Sequence, residues 1–356
     1  MAYTTIDDPS KYFQTTLYTG SGSSTQNVVN GGNSDLQPDL VWVKNRTDAR
    51  WHRLVDSSRG VSKNLYSNET DAEGTEASVT AFNSDGFSLG TDTGSDGWNE
   101  NSDAHVAWQW KANGGTTTTN SAGANGADHE SVYQANDTAG FSIVTYTSDN
   151  QSGDTVIKHG LSTAPTFMIH KGRNADSTIW WVYHKNLGNS GYVNLDSTNA
   201  NQTGSSNVWR NTAPTSSVFK VGLDSIAAAD GRTMVAYCFA PIQGYSKFGS
   251  YTGNANADGP FVYTGFSPAW VMVRRFDSGN NWHMHDNKRV PYNSNNKTLY
   301  ANVNNADGTE DFDMLSNGFK LRESGGGYNA SGGDYIYMAF AHHPFVSSKG
   351  VPTTAR

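Results

Sequence analysis

The chain has 356 residues, of which 16% are charged, and it carries a net charge of −8. Aromatic residues, at 12%, supply much of a hydrophobic share of only 35%, so the composition disfavours helices and favours strands joined by many turns. The acidic balance predicts no nucleic-acid surface and no attraction to anionic membranes. The one cysteine, Cys238, excludes an internal disulfide and a cysteine-rich metal site.

The N-terminus has no recognisable targeting segment. Residues 1–8 contain neither a basic region nor an apolar run, so we expect no signal peptide. No stretch approaches the ~18 consecutive apolar residues that span a bilayer, so membrane insertion is not expected. We therefore expect synthesis in a cytoplasm, followed by retention there or release inside a particle.

One pattern of about one hundred residues occurs three times along the chain. Each copy opens on a Tyr-Thr pair, continues with a proline and an apolar run, and closes on an aromatic strand. A base stands six residues after each proline. The openings are Tyr18, Tyr146 and Tyr251; the prolines are Pro38, Pro165 and Pro268; the bases are Lys44, Lys171 and Arg274. Because this period suits one β-sandwich, we predict an all-β protein of three tandem β-sandwich, jelly-roll-like domains.

The repeat boundaries divide the chain into seven predicted segments. Residues 113–138 are rich in Gly and Thr and are predicted to be a flexible linker, so that the first copy sits apart from the other two. The segments are an N-terminal arm (1–12), repeat 1 (13–112), the linker (113–138), repeat 2 (139–240), a joint (241–247), repeat 3 (248–346) and a C-terminal tail (347–356).

Local patterns predict particular strands and turns. Residues 41–44 and 141–146 are β-branched and aromatic, as in strands, and the Asp-Gly and Asn-Gly pairs at 85–86 and 317–318 predict hairpins. The helix-like segments are 68–73 and 226–229, and both are too short to be stable alone.

Most tryptophans are predicted to be core residues, because they recur at repeat anchors or in strand runs. These are Trp42, Trp51, Trp108, Trp110, Trp181, Trp270 and Trp282. Trp98 and Trp209 instead lie in polar stretches without a counterpart in the other copies. We therefore take these two as candidate ligand-binding residues that stack on a sugar or a partner, with local packing as the alternative.

Two sets of repeated polar residues allow more than one interpretation. Asp-x-x-Arg occurs twice, as Asp56 with Arg59 and Asp286 with Arg289, beside the repeated bases. They would line one anion or sugar site per copy, or they would form ion pairs in the scaffold. The scaffold is favoured, because polar positions that repeat with the core usually belong to it.

Metal and catalytic sites are not predicted. The loop 92–103 offers several oxygen ligands for Ca²⁺ but lacks EF-hand spacing, so a solvated turn is favoured over a calcium site. His283 and His285 face one side of a strand, but no motif places further ligands. No nucleophile–base motif occurs, so we expect no cofactor and a non-enzymatic protein.

Six motifs cover nearly the whole chain and carry a family resemblance. They read AYTTID at 2–7, QPDLVWVKNR at 37–46, SDGF at 84–87, VAYCFA at 235–240, GYSKFGSYTG at 244–253 and YMAFA at 337–341. With them the chain resembles a tandem-repeat family of virion structural proteins from tailed phages of marine bacteria, such as cyanophages and pelagiphages. The resemblance implies a virion protein on the tail or the capsid surface and supplies no catalytic residues.

The function expected from this resemblance is structural. We expect a non-enzymatic component of the particle exterior, assembled in the host cytoplasm: a capsid decoration, a head fibre or a short tail component. The alternative is a carbohydrate-binding, tail-fibre-like module for host attachment. A long collar-binding region is not seen ahead of repeat 1, which favours a compact accessory over a whole fibre.

The expected partners are other capsid or tail proteins, with a host-surface glycan in the alternative function. Homo-oligomerisation is expected as a secondary contact. The N-terminal arm carries four large apolar residues, and we predict that they anchor it in a groove of a virion partner. These are Tyr3, Ile6, Tyr12 and Phe13.

Overall fold

The computed structural model describes residues 2–22, 25–92, 97–148, 155–203, 208–222 and 231–353. Over these residues the protein is all-β, as predicted, and its only helical elements are two 3₁₀ turns, Pro9–Lys11 and Lys185–Leu187. No helix in this part of the chain has the length and apolar character needed to cross a membrane. Residues 68–73 form no helix, and 226–229 lie outside the described residues.

Repeat 1 contains two sheets and a short pair of strands. The four-stranded sheet has the order β1-β9-β3-β4, and the three-stranded sheet has the order β2-β8-β7. The strands are β1 (Phe13–Thr19), β2 (Thr25–Val28), β3 (Leu40–Asn45), β4 (Arg53–Asp56), β5 (Lys63–Asn64), β6 (Gly74–Thr75), β7 (Val79–Asn83), β8 (Gly86–Gly90) and β9 (Ala104–Trp110).

Repeat 2 contains a seven-stranded sheet, β10-β11-β12-β18-β14-β15-β16, and the separate pair β13-β17. The strands are β10 (Thr118–Asn120), β11 (Ser131–Asn136), β12 (Phe141–Thr147), β13 (Thr155–Lys158), β14 (Phe167–Gly172), β15 (Trp180–His184), β16 (Val193–Asn194), β17 (Val218–Val221) and β18 (Thr233–Phe239).

Repeat 3 forms one eight-stranded sheet, β19-β26-β21-β22-β23-β24-β25-β20. Pro268 lies at a bulge inside β21, where a strand tolerates a residue without an N–H, and not ahead of the strand. The strands are β19 (Ser246–Thr252), β20 (Phe261–Tyr263), β21 (Phe266–Arg275), β22 (Trp282–Asp286), β23 (Asn295–Tyr300), β24 (Gly308–Leu315), β25 (Gly318–Leu321) and β26 (Asp334–Pro344).

The three repeats share one pattern of antiparallel strand pairing. The first strand pairs with the last, the last with the central strand, and the central strand with the next along the chain, giving β1-β9-β3-β4, β12-β18-β14-β15 and β19-β26-β21-β22. A second pairing joins β2 to β8, β13 to β17, and β20 to β25. The sheets are consistent with β-sandwich packing, while the domain boundaries given above stay predictions.

The main sheet of each repeat is buried on both faces. In β3, Trp42 points into a central core, whereas Val41 and Val43 point into an outer core that belongs to repeat 1 alone. Repeats 2 and 3 divide their side chains in the same way. Burial of both faces explains why β3 and β14 are buried at every position.

The central core joins all three repeats, so they are not independent domains. At its middle are three rings at equivalent positions of the last strands, Trp110, Phe239 and Phe340. Their ring centroids lie 6.5 Å apart for Trp110–Phe239, 5.7 Å for Trp110–Phe340 and 5.9 Å for Phe239–Phe340. Each repeat therefore packs against both others.

Hydrogen bonds between the repeats run in a closed cycle. The Glu73 N–H of repeat 1 donates to the Arg173 carbonyl of repeat 2 at 2.8 Å. At the corresponding positions, Asn201 N–H donates to Phe276 O at 2.7 Å, from repeat 2 to repeat 3. Asp307 N–H donates to Arg46 O at 3.0 Å, from repeat 3 back to repeat 1.

The segment 113–138 is not a free linker. Its residues include β10 and β11, and β11 pairs with β12 along six residues to extend the sheet of repeat 2. The Gly115 N–H donates to Asp39 at 2.7 Å, and Gln134 donates to Ser57 at 2.7 Å, which fixes the segment against repeat 1. The expectation that repeat 1 sits apart is therefore wrong.

Both predicted hairpins are present, β7–β8 and β24–β25. The loops are residues 84–85 and 316–317, and the glycine is the first residue of the following strand. A Cβ at Gly86 would lie 2.0 Å from Val28 O, and one at Gly318 would lie 2.1 Å from Val262 O. These glycines therefore allow the neighbouring strand to approach.

Candidate functional site

The three repeated bases lie between repeats, fully buried. Lys44 donates to Asn45 O at 2.7 Å, and Lys171 donates to Thr178 O, each within its own repeat. Arg274 of repeat 3 donates to Asn199 O of repeat 2. Burial lowers the pKa of Lys44 to about 7, of Lys171 to about 8 and of Arg274 to about 10. None of them faces solvent, so they serve the scaffold and do not line an open anion or sugar site.

The first Asp-x-x-Arg pair is a buried ion pair that also holds repeat 2. The side chains of Asp56 and Arg59 have no solvent exposure, and Arg59 also contacts Glu73 at 2.9 Å. Glu73 in turn binds Arg173 of repeat 2 at 2.9 Å. The Tyr237 hydroxyl of repeat 2 donates to Asp56 at 2.7 Å.

The second pair makes the same contacts between repeats 3 and 1. Asp286 and Arg289 are also without solvent exposure, and Arg289 contacts Asp307 at 3.0 Å. Asp307 binds Arg46 of repeat 1 at 3.0 Å. Trp108 of repeat 1 donates its indole N–H to Asp286 at 3.2 Å, from the position that Tyr237 has in repeat 2.

The third interface, between repeats 2 and 3, lacks every charged partner of this set. His184 takes the position of Asp56, Met338 that of Tyr237, and Phe276 that of Arg173. A charge left there alone would be buried without compensation, which costs several kcal/mol, about 3–5. This cost explains why the charged residues of the set are all replaced together at this interface.

Trp98 and Trp209 are not exposed platforms. They are 3% and 1% exposed, and each lies in the outer core of its own repeat. The Tyr18 hydroxyl donates to Trp98 O at 2.6 Å, as Tyr251 does to Tyr328 O at 2.6 Å, so Trp98 has a structural counterpart in Tyr328. Both tryptophans are therefore local packing residues, which was the alternative interpretation. The prediction that they are accessible to a ligand is wrong.

Trp51 departs from the prediction in the opposite direction. It was expected in the core, yet it is 38% exposed. Its ring packs edge-on against Tyr66 at 5.4 Å, and the Arg53 guanidinium lies 4.6 Å from the Tyr66 ring centroid. Trp51 therefore belongs to a surface cluster and contributes little to the core.

The apolar residues of the predicted arm are largely enclosed by the chain itself. Ile6 and Phe13 are each 2% exposed in the central core, and the Phe13 ring stacks on Phe340 of repeat 3 at 5.1 Å. Tyr12 packs edge-on against Tyr245, and the Tyr3 hydroxyl donates to Gly265 O at 2.8 Å. Ile6 and Phe13 are thus unavailable to a partner groove.

The 92–103 loop is organised by one of its own carboxylates. Asp92 accepts hydrogen bonds from the backbone N–H groups of residues 97, 98 and 99 at 2.8–3.1 Å. Residues 93–96 lie outside the described residues. Asp48, Glu100 and Asp103 converge nearby, but Arg50 bonds Glu100 at 2.8 Å and neutralises part of their charge. Nothing in this geometry assigns a metal.

The two histidines on β22 have separate structural partners. His283 lies 2.7 Å from Glu310, while His285 stacks on Phe312 at 4.3 Å. Burial lowers the pKa of His285 well below its ordinary value, so its ring is neutral and packs as an apolar group. The shared strand face therefore does not make a ligand set.

An open cleft of 940 Å³ lies in repeat 3. Its walls are the loop between β22 and β23, the turn between β24 and β25, and the end of β26, where the rings of His342 and His343 lie 4.0 Å apart. Tyr292 stands on the loop and is 73% exposed. A cavity of 110 Å³ adjoins the cleft at Asn287 and Lys288 and reaches repeat 1 at Gln14.

Sequence reasoning missed this cleft because lining residues such as Tyr292 and His342 have no counterpart in the other copies. The signals available were the Pro-Tyr pair at 291–292, the asparagine-rich segment 293–296 and the adjacent His342 and His343. Each signal is weak alone, and only the pairing of β21 with β26 brings them together.

A comparison of the sequence with curated proteins finds no match. One family match covers the strands of all three repeats and most of the cleft. Over residues 8–344 the sequence matches the family described as a domain of unknown function, DUF7483. The chain therefore belongs to the DUF7483 family.

Proposed function

We propose that the protein is a non-enzymatic structural component on the exterior of a phage particle, where it contacts other capsid or tail proteins. The observation that carries the proposal is the closed set of contacts that unites three repeats around one core. Such a body holds its surfaces in fixed relative positions, which suits repeated attachment to a symmetric lattice or ring. The family resemblance described above points to the same class of protein.

The contact with the particle is assigned to the outer surface of the repeats and not to an N-terminal anchor. Ile6 and Phe13 are enclosed by the protein's own core, so a partner would have to unfold part of the chain to reach them. Capsid decoration, a head fibre and a short tail component are all compatible with this surface.

Placement on intact particles tests the proposal. Particles of the phage that encodes the chain would be purified, labelled with an antibody against the protein and imaged by electron microscopy. We expect labelling at capsid positions or at the tail, at a constant number per particle. Recovery of the protein only in the soluble lysate, with none on particles, would contradict the proposal.

The non-enzymatic character has its own test. Purified protein would be incubated with polysaccharide from the host envelope, and newly released reducing ends would be measured. We expect no release above a heat-denatured control. Release that increases with protein concentration would show a glycan-cleaving enzyme instead.

A second candidate function is recognition of a host-surface carbohydrate. The specific observation that favours it is the cleft in repeat 3, which combines an exposed aromatic ring with several amide and hydroxyl groups. Cavities of about 300–1,000 Å³ are usual for ligand sites. Both functions are compatible with one protein on a particle surface.

A further inference from the structure

We infer that the cleft around Tyr292 binds an oligosaccharide that carries an acidic group, which Lys288 meets. The inference rests on the second proposed function and names its ligand class and residues. It concerns the loop between β22 and β23, which supplies Arg289 to the scaffold and presents its other residues to the cleft. It starts from four properties of the cleft walls.

The first property is an exposed aromatic ring. Tyr292 is 73% exposed, more than any other large hydrophobic side chain in the described part of the chain. An apolar ring of this size gains free energy when it covers another apolar surface. A pyranose offers such a surface on its C–H face, and its size matches one tyrosine ring. Tyr292 is therefore placed to stack on one sugar unit.

The second property is a set of asparagines, two of which hold the walls in place. Asn293 exchanges two hydrogen bonds with the backbone of Met314, at 2.8 and 3.0 Å. Asn295 donates to the carbonyls of Asp286 and Val290, at 2.6 and 3.0 Å. These bonds fix the loop before any ligand arrives, which reduces the entropy lost on binding.

The third property is a polar atom with no partner. Asn287 lines both the cleft and the adjoining cavity, and its Oδ1 is buried without a hydrogen-bond partner among the described residues. A buried acceptor of this kind destabilises the protein unless something donates to it. A sugar hydroxyl supplies both a donor and acceptors, so it is suited to this atom.

The fourth property is charge. Among the described residues, Lys288 is the one Lys, Arg, Asp or Glu that lines the cleft, on a molecule whose net charge is −8. Partial burial lowers the pKa of His342 and His343, so both rings are neutral near pH 7. The neighbouring acids are engaged: Asp286 pairs with Arg289, and Asp311 accepts from Ser294. Asp8 also faces His343, and it is held by Ser10 and Ser34.

Because no carboxylate of the described residues lines the cleft, Lys288 favours a ligand with an acidic group, through a charge-assisted hydrogen bond. The adjoining cavity extends past Lys288 toward repeat 1, so a chain of more than one sugar fits better than a single unit. The predicted ligand is therefore an acidic oligosaccharide and not a free monosaccharide.

The test uses the full chain on an array of bacterial surface oligosaccharides, both acidic and neutral. We expect binding to acidic members and a loss of at least tenfold in Tyr292→Ala. Lys288→Gln should lose the preference for acidic members and keep weak binding to neutral ones. Phe261→Ala is the matched control, since this ring is 46% exposed but lies outside the cleft, and it should bind like the original protein.

Circular dichroism and thermal unfolding of each variant would show that the fold is kept. The inference is overturned if the original protein binds no saccharide, or if Tyr292→Ala binds as well as Phe261→Ala. Equal binding of acidic and neutral members would overturn the role of Lys288. Particle labelling is independent of these results, so failure of the virion proposal and failure of the cleft proposal are distinguishable.

Discussion

Asp56 and Asp286 show how single buried carboxylates tie repeats together. Each is fully buried, binds the arginine three residues later, and accepts a hydrogen bond from a ring of another repeat. Because neither side chain has solvent exposure, each carboxylate is compensated by these partners. The pairs therefore fix the arrangement of repeats more than they add to its stability.

Removing one of these charges should be costly. Asp56→Asn leaves Arg59 with one carboxylate fewer in a site without solvent exposure, and we expect a loss of about 3 kcal/mol in the free energy of unfolding. Chemical denaturation followed by tryptophan fluorescence measures it. Asp277→Asn is the control: it breaks the partly exposed pair with Arg275 and should cost less than about 1 kcal/mol. Equal losses in the two variants would contradict the assignment.

Lys44 and Lys171 should make stability depend on alkaline pH. Their pKa values are lowered by burial to about 7 and about 8, against about 10.4 in an unfolded chain. Between about pH 7 and pH 10 the unfolded state therefore binds more protons, so stability rises with pH in this window and levels off below it. Each lysine contributes at most about 1.36 kcal/mol per pH unit.

Lys44→Met should reduce that slope by up to one proton. Denaturation at a series of pH values between 7 and 9 would measure the slope in the variant and in the original protein. Lys11→Met, which removes an exposed lysine, is the control and should leave the slope unchanged. A slope that Lys44→Met does not alter would contradict the prediction, because it would show that Lys44 binds its proton equally in the folded and unfolded states throughout this window.

Single residues also show where sequence reasoning reached its limit. The repeated bases and Asp-x-x-Arg pairs were assigned to the scaffold because they recur with the core, and their burial confirms it. Trp98 and Trp209 were misjudged because their neighbours in sequence are polar, while burial depends on neighbours in space. Trp98 is covered by Arg53, whose guanidinium lies 5.3 Å from its ring centroid.

At the scale of elements, the N-terminal segment behaves as part of the core. Ile6 packs into the central core, and Thr4 donates to Gln243 O at 2.8 Å, ahead of β19. Deletion of residues 1–12 is therefore expected to destabilise the fold. A short segment without periodicity gives no sign in sequence of which surface will cover it.

Ile6→Ala tests this packing directly. Removing a buried isoleucine side chain should lower the free energy of unfolding by about 2–5 kcal/mol, measured by chemical denaturation. Val29→Ala, at a side chain that is 64% exposed, should change it by no more than about 0.5 kcal/mol. A loss of similar size in both variants, or in neither, would show that Ile6 is not buried in solution.

The individual strands were the most predictable elements. Residues 41–44 and 141–146 lie within β3 and β12, since β-branched and aromatic runs between turn residues leave little choice of structure. β10 and β11 were missed because their composition is that of a linker. β11 pairs with β12 and β10 pairs with β11, which is information about a partner and not about the segment itself.

At the scale of the molecule, one core should give one unfolding transition. Residues of all three repeats share the central core, so no repeat can leave it without exposing the others. We expect scanning calorimetry to show a single transition with equal calorimetric and van't Hoff enthalpies. Two or three resolved transitions would contradict a shared core.

A single core substitution should therefore act on every repeat. Trp270→Ala should cost about 3–5 kcal/mol, and hydrogen exchange should quicken in β12 and β18 of repeat 2 as well as in repeat 3. Trp51→Ala, at an exposed ring, should leave exchange in repeat 2 unchanged. Faster exchange confined to repeat 3 would show independent domains.

The shared core could not be inferred from the repeats. A triplicated pattern of this period is compatible with separate sandwiches and with a closed group, because both need the same apolar residues in each copy. The structure shows it as burial on both faces: β3 and β14 are buried at every position, as in sheets covered on two sides.

The closure between repeats 3 and 1 limits how the gene can change. An open stack of repeats can gain or lose a unit, since each unit contacts only its neighbours. Here Asp286 and Asp307 of the last repeat bind Trp108 and Arg46 of the first, so a duplicated fourth copy would separate partners that are already matched. Variation within the DUF7483 family should therefore change the length of loops such as 290–294 and keep the number of copies at three.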